Sequence, residues 1–85
     1  MRVHFIAIGG SAMHSLALAL QRRGDKVTGS DDAIFEPSKS RLADAGLLPD
    51  RMGWDANRVT ADIDGVVLGM HARGNNPELI EAQSL

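Results

Sequence analysis

Apolar residues fall along this chain in short unbroken runs separated by stripes at helical spacing, and the two patterns take turns. Val3 to Ile8 is nearly continuous apolar sequence with β-branched and aromatic members, the pattern of a central parallel strand covered on both faces. His4 interrupts it and reads as a strand-end histidine with a local hydrogen bond. From Ala12 to Arg23, Met13, Leu16, Ala17 and Leu20 recur on one helical face, while Ser15, Gln21, Arg22 and Arg23 fall mostly off it. Ser11 is placed to cap that helix and Gly24 to end it in the left-handed conformation. Lys26 to Ser30 reads as a second short strand, with Asp31-Asp32 at its carboxyl end.

Pro37 presets the first turn of a short helix over Ser38 to Ala45 that carries Leu42 and Ala45 inward, and Gly46 ends it. Pro49 bars a central strand between Leu47 and Trp54, leaving room for a short edge strand at Arg51-Met52-Gly53. Trp54 reads as a packing residue. Asp55 caps a single helical turn through Val59. Asp64 to Gly69 is the next buried strand. Asn76-Pro77-Glu78 then opens a helix with a cap, a first-position proline and a first-turn acid, and its stripe runs through Leu79, Ile80 and Ala82. Strands alternating with helices predict an α/β fold: a Rossmann-like open parallel sheet with helices on both faces, one domain over residues 1–85. No terminator or further strand follows the last helix before Leu85, the expectation for a fold truncated there.

Composition narrows the function classes. A formal net charge of −2 argues against a nucleic-acid or membrane surface, either of which would favour a basic face. The absence of cysteine removes disulfides and thiolate metal sites and suits a reducing compartment. No secretory leader and no apolar stretch near the ~20 residues of a membrane helix is seen, so the chain is expected to be cytoplasmic. Its histidines, at positions 4, 14 and 71, lack a recognisable zinc spacing, so no metal is expected. Neither Ser11 nor Ser30 sits in a G-x-S-x-G elbow, so no covalent mechanism is indicated.

The chemistry concentrates where strand meets helix. Gly9 and Gly10 let the backbone turn sharply and let an anion approach the peptide N–H groups that open the next helix, at the positive end of its dipole. In the dinucleotide register G-x-G-x-x-G the chain reads Ala7-x-Gly9-x-x-Ala12, so only the middle glycine is kept. His14 lies in the first turn of that helix and reads as a solvated surface residue. Asp31, about 20 residues beyond the glycines, is spaced to accept hydrogen bonds from a ribose, although Asp31-Asp32 also suits a turn. The loop Met70 to Asn75 leaves its strand at the same carboxyl edge, where His71 and Arg73 are candidate donors to a base or phosphate.

Taken in order, His4-Phe5-Ile6-Ala7-Ile8-Gly9-Gly10-Ser11-Ala12-Met13, Val27-Thr28-Gly29-Ser30-Asp31 and Asn76-Pro77-Glu78 resemble the N-terminal, UDP-binding domain of the Mur ligases of bacterial cell-wall synthesis. Two branches fit: the ligase that joins L-alanine to UDP-N-acetylmuramate, and the recycling enzyme that attaches a tripeptide. Phe35 to Leu42 and Arg73-Gly74-Asn75 look more like the recycling branch. The resemblance implies a nucleotide sugar of the UDP-N-acetylmuramate type as ligand. It places Gly9, Gly10, Ser11, Ala12 and Met13 near the diphosphate, Asp31 near ribose or uracil, and His71 along the remaining edge. Family members often carry glycine where this chain has Ala7 and Ala12. The full ligases use ATP and Mg²⁺ with a G-x-x-G-K-T loop in a central domain; that run is absent here, so no cofactor and no catalytic residue is expected within residues 1–85, and the remaining ligase domains are the expected partners. Two other readings stay open on the residues: a nicotinamide-binding domain of an oxidoreductase, and a sensing or structural module without chemistry.

Overall fold

The computed structural model describes every residue except 70 and 71, and the elements run β1 (Arg2–Ile6), α1 (Ser11–Arg22), β2 (Lys26–Ser30), α2 (Ser38–Asp44), a single 3-10 turn (Ala56–Arg58), β3 (Gly65–Leu68) and α3 (Pro77–Ser84). The three strands form one parallel sheet in the order β2-β1-β3, with Val3 opposite Val27 and Gly65, and Phe5 opposite Gly29 and Val67. This is the α/β, Rossmann-like open sheet that the alternating pattern predicts.

Because strand side chains alternate between faces, β1 shows which helices cover which side. Val3 and Phe5 cluster with Ala17 of α1, Leu42 of α2, and the loop residues Ile8, Ile34 and Leu47. His4 points the other way and meets Glu78 of α3. Helices therefore cover both faces, one face apolar and the other with a polar interior. On the polar face His4 Nδ1 lies 2.8 Å from Thr28 Oγ1, and its Nε2 lies 2.6 Å from Glu78 Oε1; the two residues are 1% and 0% exposed. The second Glu78 oxygen accepts from the Asp55 N–H at 2.9 Å and faces Arg58 at 3.6 Å, while Arg58 also donates to Ser30 Oγ. These bonds tie α3, the 3-10 turn and both strands together. Burial alone would raise the Glu78 carboxyl; the His4 hydrogen bond, with the Asp55 N–H and Ser30, outweighs it and leaves the carboxyl below its ordinary value.

Several local expectations are corrected. β1 ends at Ile6, two residues early, because the N–H groups of Ala7 and Ile8 both turn onto the Ser30 carbonyl and Ala7 takes a φ of 70°. Helix α1 begins at Ser11 itself, with Gly10 in the cap position and no side-chain cap. Leu16 is 40% exposed, since the inward stripe runs through His14, Ala17 and the partly buried Met13, Leu18 and Leu20. His4 is a mid-strand residue whose partners are distant in sequence. Strand β3 is only half-buried, because it is the sheet edge and Leu68 is 47% exposed. Of the expected edge strand at 51–53, only Gly53 pairs, as an isolated antiparallel bridge to Asp31. Asp55 does cap its single turn, accepting from the Asn57 N–H, and Asn76 caps α3 with Pro77 in the first position. Among the described residues no helix is long and apolar enough to cross a membrane.

Candidate functional site

The β1–α1 turn owes its shape to small residues used for different reasons. Ala7 carries the left-handed backbone that the fingerprint assigns to its first glycine, a conformation that strains an L side chain by about 1–2 kcal/mol. Gly9 is required by space: a Cβ there would lie 2.8 Å from Ile34 Cγ1 and 2.9 Å from Asp31 Oδ2. Gly10 is under no such demand, since its φ is −60° and an added Cβ would make only ordinary contacts, with Met13 at 3.5 Å and the Ala7 carbonyl oxygen at 3.8 Å. The free face of Gly10 is thus a feature of the mouth rather than of the packing.

Beyond it, the N–H groups of Ser11, Ala12 and Met13 find no acceptor among the described residues, and no acid occupies the first turn of α1. Such donors sit at the positive end of a twelve-residue helix. Ser11, the first of these residues, lines a cleft of about 520 Å³ walled by Gly10, Ser11, His14 and Ser15 on one side and by Asp32, Phe35, Ser38 and Arg41 on the other. A second cleft of about 240 Å³ lies between Asp32, Trp54, Arg73 and Asn75. Asp32 borders both, so the two meet at the end of β2.

Asp31, expected to reach a ribose, spends most of its carboxylate on the backbone. Oδ2 accepts from the Gly9 N–H at 2.8 Å, and Oδ1 accepts from the Asp32 N–H at 2.8 Å and the Ala33 N–H at 3.5 Å. About four acceptor sites exist on a carboxylate, so roughly one is left for a ligand. Burial pushes the Asp31 carboxyl above its ordinary value, against the downward pull of the Gly9 N–H. Asp31 therefore clamps the glycine turn to the end of β2. His14, expected in solvent, is 3% exposed and packed between the Gly10 carbonyl, Ser38 and Arg41. Its burial had a signal in the sequence, the stripe shared with Ala17, which an apolar-only reading of the helix face passes over. Ala12 is exposed at the mouth and Met13 half-buried behind it. His71 lies outside the described residues.

Unbonded amide groups at a helix mouth beside a cleft on the carboxyl edge of a parallel sheet are the arrangement that α/β folds offer to anionic, nucleotide-like ligands. The model of the family described as "Mur ligase family, catalytic domain" matches residues 2–85, and the chain belongs to the Mur ligase family. It is 42% identical over 83 residues to the UDP-N-acetylmuramate–L-alanine ligase of Rubrobacter xylanophilus, covering 98% of this chain and 18% of that protein. Its identity to the enzyme of the same name from Symbiobacterium thermophilum is 39%, over 98% of this chain and 17% of that one. Among solved structures, a murein peptide ligase from Psychrobacter arcticus superposes with a TM-score of 0.81 at 32% identity, covering 99% of this chain and 17% of that one. The chain thus spans less than a fifth of the length of these relatives. The L-alanine ligase branch of the resemblance is represented by name, and the oxidoreductase reading gains no support.

Proposed function

We propose that this chain binds the UDP part of UDP-N-acetylmuramate, or of a UDP-muramyl substrate, for a cytoplasmic ATP-dependent ligase that forms an amide bond in peptidoglycan synthesis or recycling. The observation that carries the reading is the mouth of α1, where the N–H groups of Ser11, Ala12 and Met13 have no acceptor among the described residues and where Gly10 and Ser11 line the 520 Å³ cleft. The diphosphate sits on these donors, and the uridine extends over the end of β2 towards Asp32. Asp31 acts mainly through the turn that it clamps. His71 remains a candidate along the β3 edge.

The residues present do not fit ATP or Mg²⁺. The sequence has no G-x-x-G-K-T run, and among the described residues no group of histidines and carboxylates is arranged to hold a metal ion. On this reading the chain's part is to bind and orient one substrate, and no ligase activity is expected of it alone. Calorimetric titration of the chain with UDP-N-acetylmuramate and, separately, with NADH tests the reading. Micromolar binding of the nucleotide sugar is expected, lost in Gly10→Val with the helix content unchanged. Binding of NADH alone would refute it.

A further inference from the structure

The cleft at the mouth of α1 contains a buried imidazole tied to a guanidinium, and backbone donors alone do not account for the pair. His14 Nδ1 lies 3.1 Å from the Gly10 carbonyl oxygen and 3.1 Å from Ser38 Oγ, and His14 Nε2 lies 3.4 Å from Arg41 Nη1. A carbonyl oxygen only accepts and a guanidinium only donates. Together the contacts fix the tautomer: Nδ1 carries the proton and donates to Gly10, and Nε2 accepts from Arg41. The imidazole is a neutral bridge between the glycine turn and α2.

Arg41 is the one side chain of fixed positive charge among the described residues lining this cleft. Arg2, Arg23, Arg51 and Arg58 each pair with a carboxylate, whereas Arg41 has none within 4.0 Å among the described residues. The shortage is not one of acids. Asp31 is turned onto backbone N–H groups, Glu36 is bonded through both oxygens to the N–H and hydroxyl of Ser40, and Asp32 is exposed. A guanidinium left without an acid in a cleft containing three of them, and held by a neutral acceptor, keeps most of its donors and its whole charge for an incoming anion.

We propose that Arg41 is a second arm of the phosphate site, binding one phosphate of the diphosphate while the α1 amide groups bind the other, and that His14 is the positioning residue that holds it there. The inference rests on the nucleotide-sugar reading and deepens it, turning a backbone cradle into a site that distinguishes a diphosphate from a monophosphate.

Titration of the full chain with UDP, UMP and uridine at fixed salt tests it. Arg41→Ala is expected to weaken UDP binding about 10- to 100-fold, the range for a hydrogen bond between charged groups, and UMP binding less than about threefold. Arg41→Lys should recover part of the loss, since it keeps the charge without the planar fork. His14→Phe should weaken UDP binding in the unaltered background and cause no further loss beside Arg41→Ala. A purely packing role for His14 would instead weaken UDP and UMP alike in both backgrounds, and would overturn its assignment. Unchanged UDP affinity in Arg41→Ala, or equal losses for UDP and UMP, would overturn the second arm while leaving the nucleotide-sugar reading in place. If the unaltered chain bound none of the three ligands, that reading would fall and this inference with it. Arg41 is exposed, and circular dichroism of Arg41→Gln checks that its replacement leaves the fold intact.

Discussion

Gly9 and Gly10 are neighbours of the same type, yet alanine should affect them very differently. At Gly9 the new methyl would lie 2.8 Å from Ile34 Cγ1, 2.9 Å from Asp31 Oδ2 and 3.1 Å from Ile34 Cγ2. Neither neighbour yields freely: Ile34 belongs to the apolar core, and the Asp31 carboxylate is held by three backbone N–H groups. Overpacking of this kind costs about 1–3 kcal/mol. If the carboxylate is pushed off the Gly9 N–H, a charge-assisted bond of about 1.5–3 kcal/mol is lost as well, and the two effects overlap because one movement relieves the first by causing the second. A total near 2–4 kcal/mol follows, a large share of a small domain's stability. At Gly10 the methyl would meet Met13 at 3.5 Å with an ordinary φ, and the expected cost is that of alanine in an N-cap position, at most about 1 kcal/mol. Urea denaturation of Gly9→Ala and Gly10→Ala should therefore differ by about 2 kcal/mol. A difference under about 0.5 kcal/mol would show that Asp31 and Ile34 do not define this turn as described.

Other consequences concern the two buried carboxylates. Glu78→Ala leaves His4 and Arg58 facing an empty site in the polar interior, and should cost about 3–5 kcal/mol in thermal or urea denaturation. The Glu78 carboxyl is below its ordinary 4.5, so its contribution is present above that pH and is lost as pH falls through the folded value; the gap between the wild type and Glu78→Gln should narrow on acidification. Asp31 has the opposite sign. Its carboxyl is raised from 3.8, so its contribution is present below that pH and fades as pH rises through the folded value, and Asp31→Asn should gain on the wild type from pH ~3 to pH ~7 in the same denaturation series. Because the Asp31 carboxylate holds the turn, Asp31→Asn should also weaken UDP and inorganic pyrophosphate by similar factors in calorimetry; a loss confined to UDP would place its role at the nucleoside.

The apolar face of the sheet was legible from the sequence because hydrophobic periodicity reports burial directly. Val3, Phe5, Ala17 and Leu42 all lie where their spacing predicts. The caps at Asp55 and Asn76 were legible for a similar reason, since each bonds within three residues of itself. The polar face was not. His4, Thr28, Ser30, Arg58 and Glu78 come from four segments and read singly as surface or capping residues. Only the β1–β2 register and the docking of α3 show that each satisfies another. The candidate site divides in the same way. The glycine turn and the acid after β2 follow from local spacing, whereas the clamp from Asp31 to Gly9 and the bridge through His14 to Arg41 depend on how α2 folds back over the mouth of α1. Leu16 illustrates the cost of counting apolar residues alone: the stripe is real, but a histidine occupies one of its inner positions.

The most direct test is to assign the backbone amide resonances and follow those of Gly10, Ser11, Ala12 and Met13 during titration with UDP-N-acetylmuramate. Saturable shifts at these four amides, reproduced by UDP and absent with uridine, are the predicted result. Shifts confined to other residues, or none at these four while the ligand binds, would contradict the placement of the diphosphate at the mouth of α1.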